Sequence, residues 1–332
     1  MDSNHTEQQG FYDLDPDTIL DALEAFGLMP DGSMLALNSY ENRVYRLGIE
    51  DAKPVVVKFY RPGRWTDEAI LEEHAFALEL AEAEVPVVAP LRNANGETLF
   101  HHAGHRFTVF PCQGGRMPEL SGGDDYEILG RFIGRIHAIG QTKPFLHRPQ
   151  LTIESYGHES YQFLLEKGFL PKELILPYRS LVEDILPVVE ANFARAGEVA
   201  QIRLHCDCHP SNVLWTDTGP HFVDLDDCRT GPAIQDLWML LNGDRRDMTM
   251  QIADLLEGYT EFCDFKPREL HLVEALRTLR MLYYSAWLGR RWEDPAFPRN
   301  FPWFNSQQYW EQQILALREQ FALLDEPPLV WN

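Results

Sequence analysis

The chain has 332 residues, 45% of them hydrophobic, so it can bury one large core or two modest ones. Its formal net charge of −22 disfavours binding to nucleic acid or anionic membranes, because both attract proteins through clustered Lys and Arg. No apolar run approaches the ~18 residues that span a bilayer, and residues 1–10 are polar and lack a leader pattern, which together favour a soluble cytoplasmic protein. Five cysteines, an odd number, favour reduced thiols over a disulfide framework.

The first part of the chain alternates helical and β-prone stretches. Residues 15–27 predict an amphipathic helix that follows a capping aspartate and ends at a glycine. β-Prone runs follow from Leu35 to Tyr60, and then comes a helix with an acidic first turn that stops before Pro86. Two further β-prone runs, ETLFH and RFTVF, precede a glycine pair. The patterns predict a small sheet with one main helix over residues 1–112.

Residues 113–332 have mostly helical periodicity and predict a second, larger lobe. The predicted helices lie at 124–140, 180–195, 233–242, 248–263, 267–291 and 306–323. Short strands are predicted near 202–204, 213–215 and 221–224. The stretch RRWEDPAFPRNFPW predicts a packed surface loop. The fold class predicted from these elements is α+β in two lobes.

The stretch HCDCH at residues 205–209 raises three possible interpretations. Structural zinc sites draw Cys and His pairs from two separated segments, and the sequence has no second such cluster to complete a tetrahedral site. A C-x-C redox pair is a second interpretation. In the third, the loop is catalytic through its aspartate, Cys206 and Cys208 pack beneath it, and His205 fixes its geometry.

The sequence around this stretch favours phosphoryl transfer. That reaction needs a carboxylate to accept or orient the attacking proton, and hard oxygen ligands that hold Mg²⁺ against the nucleotide phosphates. Asp207, Asn212 and Asp224 supply those groups. Their order, an aspartate, an asparagine five positions on and an aspartate after a hairpin, matches the H-x-D-x-x-x-x-N plus Asp arrangement of kinases.

A kinase also needs a cation on the nucleotide phosphates, and VVVKFY places Lys58 in an otherwise apolar strand. Strand alternation alone would point Lys58 to solvent. The helix that follows offers Glu72 or Glu73 as the partner of a kinase Lys–Glu bridge, and we prefer Glu73. No G-x-G-x-x-G precedes the lysine; the corresponding turn is NSYENR, where Ser39 could offer a hydroxyl and backbone N–H groups to phosphate.

With these motifs the sequence resembles the aminoglycoside phosphotransferase and choline kinase superfamily, which shares the two-lobed protein-kinase fold. The resemblance covers nearly the whole chain and is carried by LNSYENRVY, VVVKFYRP, EVPV, NVLW, VDLDD, QDLWMLLNGD and RRWEDPAFPRNFPW. It implies a nucleotide-binding lobe at residues 1–112 and a helical lobe with the catalytic loop and acceptor site at 113–332. One departure is Cys206, because the superfamily loop commonly reads H-G-D.

The resemblance also implies roles for single residues. It implies that Asp207 is the catalytic base. Asn212 and Asp224 would bind Mg²⁺, and Asp224 would also be catalytic. Lys58 and Ser39 would contact ATP. It leaves Asp226 open between helping with metal and solvating the loop, and it gives Asp236 a supporting role under the catalytic loop. The adenine would contact backbone near Pro111 and Cys112.

The function implied by the resemblance is an ATP- and Mg²⁺-dependent kinase that phosphorylates serine or threonine hydroxyls of proteins and helps cells survive stress. Two alternatives stay open. The same parts serve a kinase of small alcohols such as aminoglycosides, choline or amino alcohols, and a pseudokinase would bind ATP without transfer. Retention of the lysine, both aspartates and the asparagine argues against the pseudokinase. A monomer is the default expectation.

Overall fold

The computed structural model describes residues 11 and 13–331, so the expectation drawn from residues 1–10 lies outside the described residues. The elements in chain order are α1 (Pro16–Phe26), β1 (Pro30–Ala36), β2 (Arg43–Ile49), β3 (Ala52–Phe59), α2 (Asp67–Glu82), β4 (Phe100–His102), β5 (His105–Pro111), α3 (Gly123–Gly140), α4 (Glu159–Glu166), α5 (Lys172–Ala196), β6 (Ile202–Leu204), β7 (Val213–Thr216), β8 (Gly219–Phe222), β9 (Arg229–Gly231), α6 (Ile234–Trp238), α7 (Arg245–Tyr259), α8 (Val273–Arg290), α9 (Ala296–Asn300) and α10 (Gln307–Leu324).

The chain divides into two compact units that each combine segments distant in sequence. The first unit contains the chain up to Met117, the segment Leu146–Arg148 and the segment Val213–Asp226. The second unit contains Pro118–Phe145, Pro149–Asn212 and the chain from Asp227 onward. The functional division of the chain at residue 112 stays a prediction.

The first unit is built on an antiparallel sheet. Among the described residues, five strands join this sheet in the order β1-β2-β3-β5-β4. One face buries Val57, Phe59 and Val109 against Leu23 of α1. Helix α1 begins where the Asp15 side chain accepts the N–H of Thr18 at 2.8 Å. The sheet and helix therefore share one apolar core, as the alternating and helical patterns predict.

Helix α2 follows β3 and supplies further buried side chains of the first unit. The Thr66 hydroxyl accepts the N–H of Ala69 at 3.3 Å. Asp67 and Glu68 lie in the first turn, where negative side chains stabilise the helix through its dipole. The helix buries Ile70, Phe76 and Leu80 on one side. The helix thus presents one fixed face inward.

The hairpin β7–β8 also belongs to the first unit, and backbone hydrogen bonds explain why. Phe222 donates its N–H to the carbonyl of Pro86 at 2.8 Å and accepts the N–H of Val88 at 3.0 Å. Trp215 exchanges backbone hydrogen bonds with Arg116 at 2.7 and 3.1 Å. The end of β8, which leads into Asp224, is therefore anchored to the first unit.

The second unit is mostly helical. Helices α3 and α7 pack backbone to backbone at glycines: a Cβ on Gly130 would lie 1.9 Å from the carbonyl oxygen of Leu255, and one on Gly258 would lie 2.0 Å from that of Glu127. Strands β6 and β9 pair antiparallel. The described helices all fall short of the length and apolarity that a bilayer-spanning helix needs.

The α+β class is confirmed, and differences from the predicted elements are local. Strand β9 was not predicted, because its residues Arg229, Thr230 and Gly231 include no apolar side chain that would show a β-type alternation. The stretch predicted as the loop RRWEDPAFPRNFPW contains the short helix α9. Residues 267–272 form a 3₁₀ helix before α8, although the pattern predicted one continuous α-helix from residue 267.

Candidate active site

Lys58 lies in the interior of the first unit rather than in solvent. Its side chain is only 6% exposed, and its neighbours Val57 and Phe59 are fully buried. The Nζ atom lies 3.5 Å from Glu73 Oε1, 3.2 Å from Asp224 Oδ1 and 3.1 Å from Asp226 Oδ1. We call these four side chains the Lys58 cluster. The burial of a lysine on the strand is therefore compensated by three carboxylates.

The charges in the Lys58 cluster shift one another's protonation. Burial opposes the charge on Lys58, but the carboxylates of Asp226, Glu73 and Asp224 outweigh it and raise the pKa of Lys58 well above its usual value. Burial raises the pKa of Glu73 to about 7, although the charge of Lys58 acts in the opposite direction. The lysine is thus a permanent cation at neutral pH.

Glu72 and Glu73 have different partners, which settles the choice between them as the partner of Lys58. Adjacent helix positions point about 100° apart, so one helix cannot aim both side chains at the same group. Glu73 faces Lys58, whereas the Glu72 carboxylate accepts the backbone N–H groups of Leu146, His147 and Arg148 at 2.5, 2.7 and 2.8 Å.

Asp224 and Asp226 differ in exposure. The Asp224 side chain is 55% exposed and its backbone has a φ of +61°, in the left-handed region. The Asp226 side chain is 5% exposed and accepts a hydrogen bond from Arg64. Asp226 therefore does not solvate the loop, which was one of the two interpretations left open. Asp224 is the carboxylate of the cluster that solvent reaches.

The turn that contains Ser39 lies between β1 and β2 and is held by polar contacts. Ser39 itself is half-buried. The side-chain oxygen of Asn42 accepts the N–H of Arg61 at 3.0 Å, and Arg61 Nε donates to the carbonyl of Glu41 at 2.9 Å. Arg61 thus fixes the turn without a glycine-rich sequence.

In the second unit, Asp236 supports the backbone of the HCDCH loop. The carboxylate accepts the N–H of His205 at 2.9 Å and that of Cys206 at 2.7 Å. Its Oδ2 also lies 3.0 Å from Nε2 of His137, and Asp236 is 1% exposed. A buried carboxylate with these partners fixes the loop that precedes Asp207.

Cys206 has a left-handed backbone, with a φ of +67°. A residue with a Cβ pays roughly 1 to 2 kcal/mol for this conformation, which explains why a glycine is common there in the superfamily. Both Cys206 and Cys208 are buried, and burial raises the pKa of both thiols. Redox exchange uses the thiolate, so burial disfavours the C-x-C redox interpretation, and the described residues contain no group of three or more His, Cys, Asp or Glu side chains placed to hold a metal ion.

Asp207 receives donors on both carboxylate oxygens. Arg280 Nη2 donates to Oδ1 at 2.8 Å, Asn212 Nδ2 donates to Oδ2 at 3.2 Å, and Nε2 of His209 lies 3.4 Å from Oδ2. Burial would raise the pKa of Asp207, but the hydrogen bond from His209 and the charge of Arg280 outweigh it and hold that pKa well below its usual value. Asp207 is therefore ionised at neutral pH.

Asn212 returns to Asp207 through a 3₁₀ turn over Pro210–Asn212. Its N–H donates to the His209 carbonyl at 2.9 Å, and its Nδ2 donates to the Asp207 carbonyl at 2.9 Å. The five-residue spacing read from the sequence thus corresponds to a closed loop. The structure brings Lys58, Glu73 and Asp224 together in the first unit, and Asp207 and Asn212 together in the second.

Three arginines around these groups were not singled out from the sequence. Arg64, in FYRPGRW, donates a hydrogen bond to the Asp226 carboxylate, and Arg280 on α8 donates one to the Asp207 carboxylate. Arg148 donates to the carbonyl of Asp226. Arg64 lies within a distinctive motif that could have drawn attention, whereas Arg148 and Arg280 have no local signal.

Residues 34–276 match the family model described as "Phosphotransferase enzyme family". The chain belongs to this family. Two relatives support the membership: "Stress response kinase A" of Escherichia coli K12 is 48% identical over 96% of each chain, and "Serine/threonine protein kinase RdoA" of Salmonella typhimurium is 47% identical over the same shares. The chain is therefore a phosphotransferase whose relatives are named kinases.

Solved structures of kinases with low sequence identity show the same fold. "Amicoumacin kinase hAmiN in complex with AMP-PNP, Ca2+ and Ami" aligns with a TM-score of 0.72 and 18% identity, covering 95% of this chain and 96% of that one. "Structure of the microcompartment-associated aminopropanol kinase" aligns with a TM-score of 0.70 and 17% identity, covering 94% and 97%. The fold is thus the two-lobed, kinase-like fold that the resemblance implies.

Proposed function

We propose that this phosphotransferase transfers the γ-phosphate of ATP to serine and threonine hydroxyls of proteins and acts in the response to cellular stress. The observation that carries the acceptor is the 47% identity, over 96% of the chain, to a relative named serine/threonine protein kinase. The name stress response kinase A, borne by a relative at 48% identity, supports the physiological role. Cytoplasmic localisation and a monomeric state are part of the same proposal.

The proposed roles follow the two groups of side chains. In the first unit, Lys58 and Ser39 contact the ATP phosphates, Glu73 holds Lys58, and the adenine contacts backbone near Pro111 and Cys112. In the second unit, Asp207 receives the acceptor hydroxyl. Residues 1–112 form the nucleotide-binding lobe in this proposal, and residues 113–332 provide the catalytic loop and the acceptor site.

We assign Asn212 and Asp224 as Mg²⁺ ligands, because the side-chain chemistry of each residue suits that ion. Mg²⁺ prefers carboxylate and amide oxygens. The Asp224 side chain is 55% exposed, so a cation can reach it although Lys58 holds one of its oxygens. The Nδ2 of Asn212 is committed to Asp207, so the ligand would be the amide oxygen. When bound, the metal neutralises charge on the transferring phosphoryl group.

Asp207 contributes mainly by orienting the hydroxyl in this proposal. Its carboxylate is ionised, because Arg280 and His209 stabilise the negative charge. A carboxylate stabilised in this way is a weak base, but it accepts a hydrogen bond strongly and directionally. Phosphoryl transfer depends mostly on positioning and electrostatics, so orientation suffices for a large rate effect.

A second candidate is a kinase of small alcohols. The observation in its favour is the fold shared with the amicoumacin kinase and the aminopropanol kinase, whose names specify small molecules. Those structures are only 18% and 17% identical to this chain, whereas the relative named a protein kinase is 47% identical. The protein acceptor is therefore the better supported choice.

The test incubates the purified chain with γ-labelled ATP and Mg²⁺ and offers two kinds of acceptor separately. One is a protein, myelin basic protein, and the other is a panel of small alcohols that includes choline, aminopropanol and aminoglycosides. We expect label on phosphoserine or phosphothreonine of the protein. Label only on a small alcohol would establish the second candidate, and no label on any acceptor would indicate a pseudokinase.

A further inference from the structure

The segment Leu146–Arg148, which we call the clasp, is attached to α2 through its backbone. The chain leaves the second unit after Phe145, contributes the clasp to the first unit and returns to the second unit at Pro149. Three consecutive N–H groups of the clasp donate to the Glu72 carboxylate at 2.5, 2.7 and 2.8 Å. Hydrogen bonds to an ionised acceptor are about twice as strong as neutral ones, so the clasp and α2 are firmly joined.

The side chain of Arg148 extends from the clasp to the Lys58 cluster. It is fully buried, at 0% exposure. One guanidinium nitrogen donates to the carbonyl of Asp226, and the other lies 3.7 Å from Glu73 Oε2. The guanidinium also lies 4.1 Å from the ring centroid of Trp65. Arg148 therefore joins Glu73 of α2 to the backbone that follows Asp224.

Charge makes this contact more than packing. The single positive charge of Lys58 faces three carboxylates, those of Glu73, Asp224 and Asp226, at 3.1 to 3.5 Å. Arg64 on Asp226 and Arg148 beside Glu73 supply two further positive charges. A buried carboxylate that loses its cationic partner is strongly destabilised, and Lys58 would then be the remaining nearby cation for Glu73. Its ammonium would be drawn away from any nucleotide phosphate.

A second contact holds α2 from behind Glu73. His74 Nε2 lies 2.8 Å from the hydroxyl of Tyr60, and its Nδ1 lies 2.8 Å from that of Thr98. Burial, with the charges of Lys58 and Arg148, lowers the pKa of His74 to about 3, so this link is neutral. Rotation of α2 is therefore resisted by His74 and by the clasp, while only the clasp carries a charge to the cluster.

We propose that Arg148 is a positioning residue for phosphotransfer, which acts by holding Glu73 and the Asp224–Asp226 backbone so that Lys58 is directed at the nucleotide phosphates. The proposal rests on the proposed function, since it assigns Lys58 to ATP. It adds a fixed link, made by residues distant in sequence, that keeps α2 in the orientation in which Glu73 meets Lys58.

The test compares Arg148→Gln, Arg148→Lys and Arg106→Gln with the wild-type chain. Arg106 is the matched control, because it is a half-buried arginine beside Trp65, with Nη1 2.6 Å from the Trp65 carbonyl and 3.1 Å from Asp67, and its described partners lie outside the Lys58 cluster. Each protein is measured for thermal unfolding, for ADP affinity with Mg²⁺, and for kcat and KM in transfer from ATP to myelin basic protein.

We expect Arg148→Gln to weaken ADP binding and raise the KM for ATP by about tenfold, and to lower kcat by about tenfold or more, because misplaced groups lose rate steeply. Arg148→Lys should recover part of both losses. Arg106→Gln should lower the unfolding temperature while its KM and kcat stay within about twofold of wild type. A folded Arg148→Gln protein with wild-type ADP affinity and KM would overturn the proposal, and so would an equal kinetic loss in Arg106→Gln.

Glu72→Gln covers the case in which Arg148→Gln does not fold. The amide keeps one acceptor oxygen and brings an NH₂ group toward the N–H groups of the clasp, so a smaller loss of the same kind, about threefold in KM, is expected. Unchanged KM and ADP affinity in both Glu72→Gln and Arg148→Lys would also overturn the proposal. Wild-type turnover decides the proposed function separately, and ADP affinity tests Arg148 even where no acceptor is labelled.

Discussion

The Lys58 cluster of the first unit and the HCDCH loop of the second, which contains Asp207, are held by different interactions. In the cluster, long charged side chains meet, and Lys58 lies between three carboxylates at 3.1 to 3.5 Å. In the loop, a single carboxylate, Asp236, accepts two consecutive backbone N–H groups at 2.9 and 2.7 Å. The cluster therefore depends on the balance of charge, whereas the loop depends on backbone geometry.

We infer from this difference that the two regions have separate roles. A side-chain charge that is balanced by neighbours can be redirected to a ligand, as a nucleotide site requires. A backbone held by a buried carboxylate keeps one side chain, Asp207, in one place, as a reacting hydroxyl requires. Substitutions in the two regions should consequently change different measured quantities.

Asp207→Ala should produce the largest effect. We expect phosphotransfer to fall by about three orders of magnitude or more, because the variant lacks the group that we propose orients the acceptor hydroxyl. The unfolding temperature should also fall, because Arg280 loses its carboxylate partner, but the protein should stay folded at the assay temperature. Single-turnover transfer from labelled ATP measures the loss, with the exposed Asp184→Ala on α5 as the control. Turnover within tenfold of wild type would remove Asp207 from the mechanism.

Asp236→Ala should act on stability first. Loss of this carboxylate leaves the N–H groups of His205 and Cys206 without their acceptor, and we expect a destabilisation of about 3 kcal/mol. Urea unfolding followed by circular dichroism measures it. Asp264→Ala, at an exposed position, should stay within about 0.5 kcal/mol of wild type. Similar losses in the two variants would mean that Asp236 does not support the loop.

Glu269 gives the loop side a pH dependence, because its Oε2 accepts the N–H of Ile234 at the start of α6, the helix that carries Asp236. Burial raises the pKa of Glu269 from 4.5 to about 7. A raised pKa in the folded state contributes stability below pH 4.5 that is lost as the pH rises through about 7.

Glu269→Gln removes this titration. Its unfolding free energy relative to wild type should rise by up to about 3 kcal/mol between pH 4.5 and pH 8, since each pKa unit corresponds to about 1.4 kcal/mol. Chemical unfolding across that pH range measures the change, with the exposed Glu319→Gln on α10 as the control. Parallel pH curves for Glu269→Gln and wild type would contradict the assignment.

Cys206→Gly should have the smallest effect. Relief of the left-handed backbone offsets the lost burial of the thiol, so we expect less than about 1 kcal/mol change in stability and transfer within about twofold of wild type. Cys206→Val should instead lose about 2 kcal/mol, because a β-branched side chain tolerates a positive φ poorly. A strong loss of transfer in Cys206→Gly would show that the thiol itself matters.

Local patterns in the sequence predicted the elements, but not the partners that charge and burial select. The apolar strand around Lys58 and the acidic helix after it both appear in the structure, and Glu73 lies beside the lysine. Cys206 has its positive φ where Asp236 accepts its N–H, a contact across 30 positions that no local pattern reports.

Patterns taken in chain order also give no sign that distant segments join one compact unit. The clasp and Val213–Asp226 both belong to the first unit, while the functional division at residue 112 stays a prediction. The segment Val213–Asp226 is attached to the first unit by hydrogen bonds to the backbone of Pro86 and Val88. The clasp is attached by N–H groups that donate to the Glu72 carboxylate. Such pairing depends on which donors and acceptors remain at the edge of a folded unit, and a single sequence carries little information about it.

The most direct test of these separate roles is a calorimetric titration of ADP, with Mg²⁺, into the wild-type chain, Lys58→Met and Asp207→Ala. We predict that Lys58→Met weakens ADP binding about tenfold or more, because it removes the buried cation that we propose contacts the phosphates. Asp207→Ala should bind ADP within about threefold of wild type although its transfer has collapsed. Equal weakening of ADP binding in both variants, or none in Lys58→Met, would contradict the account.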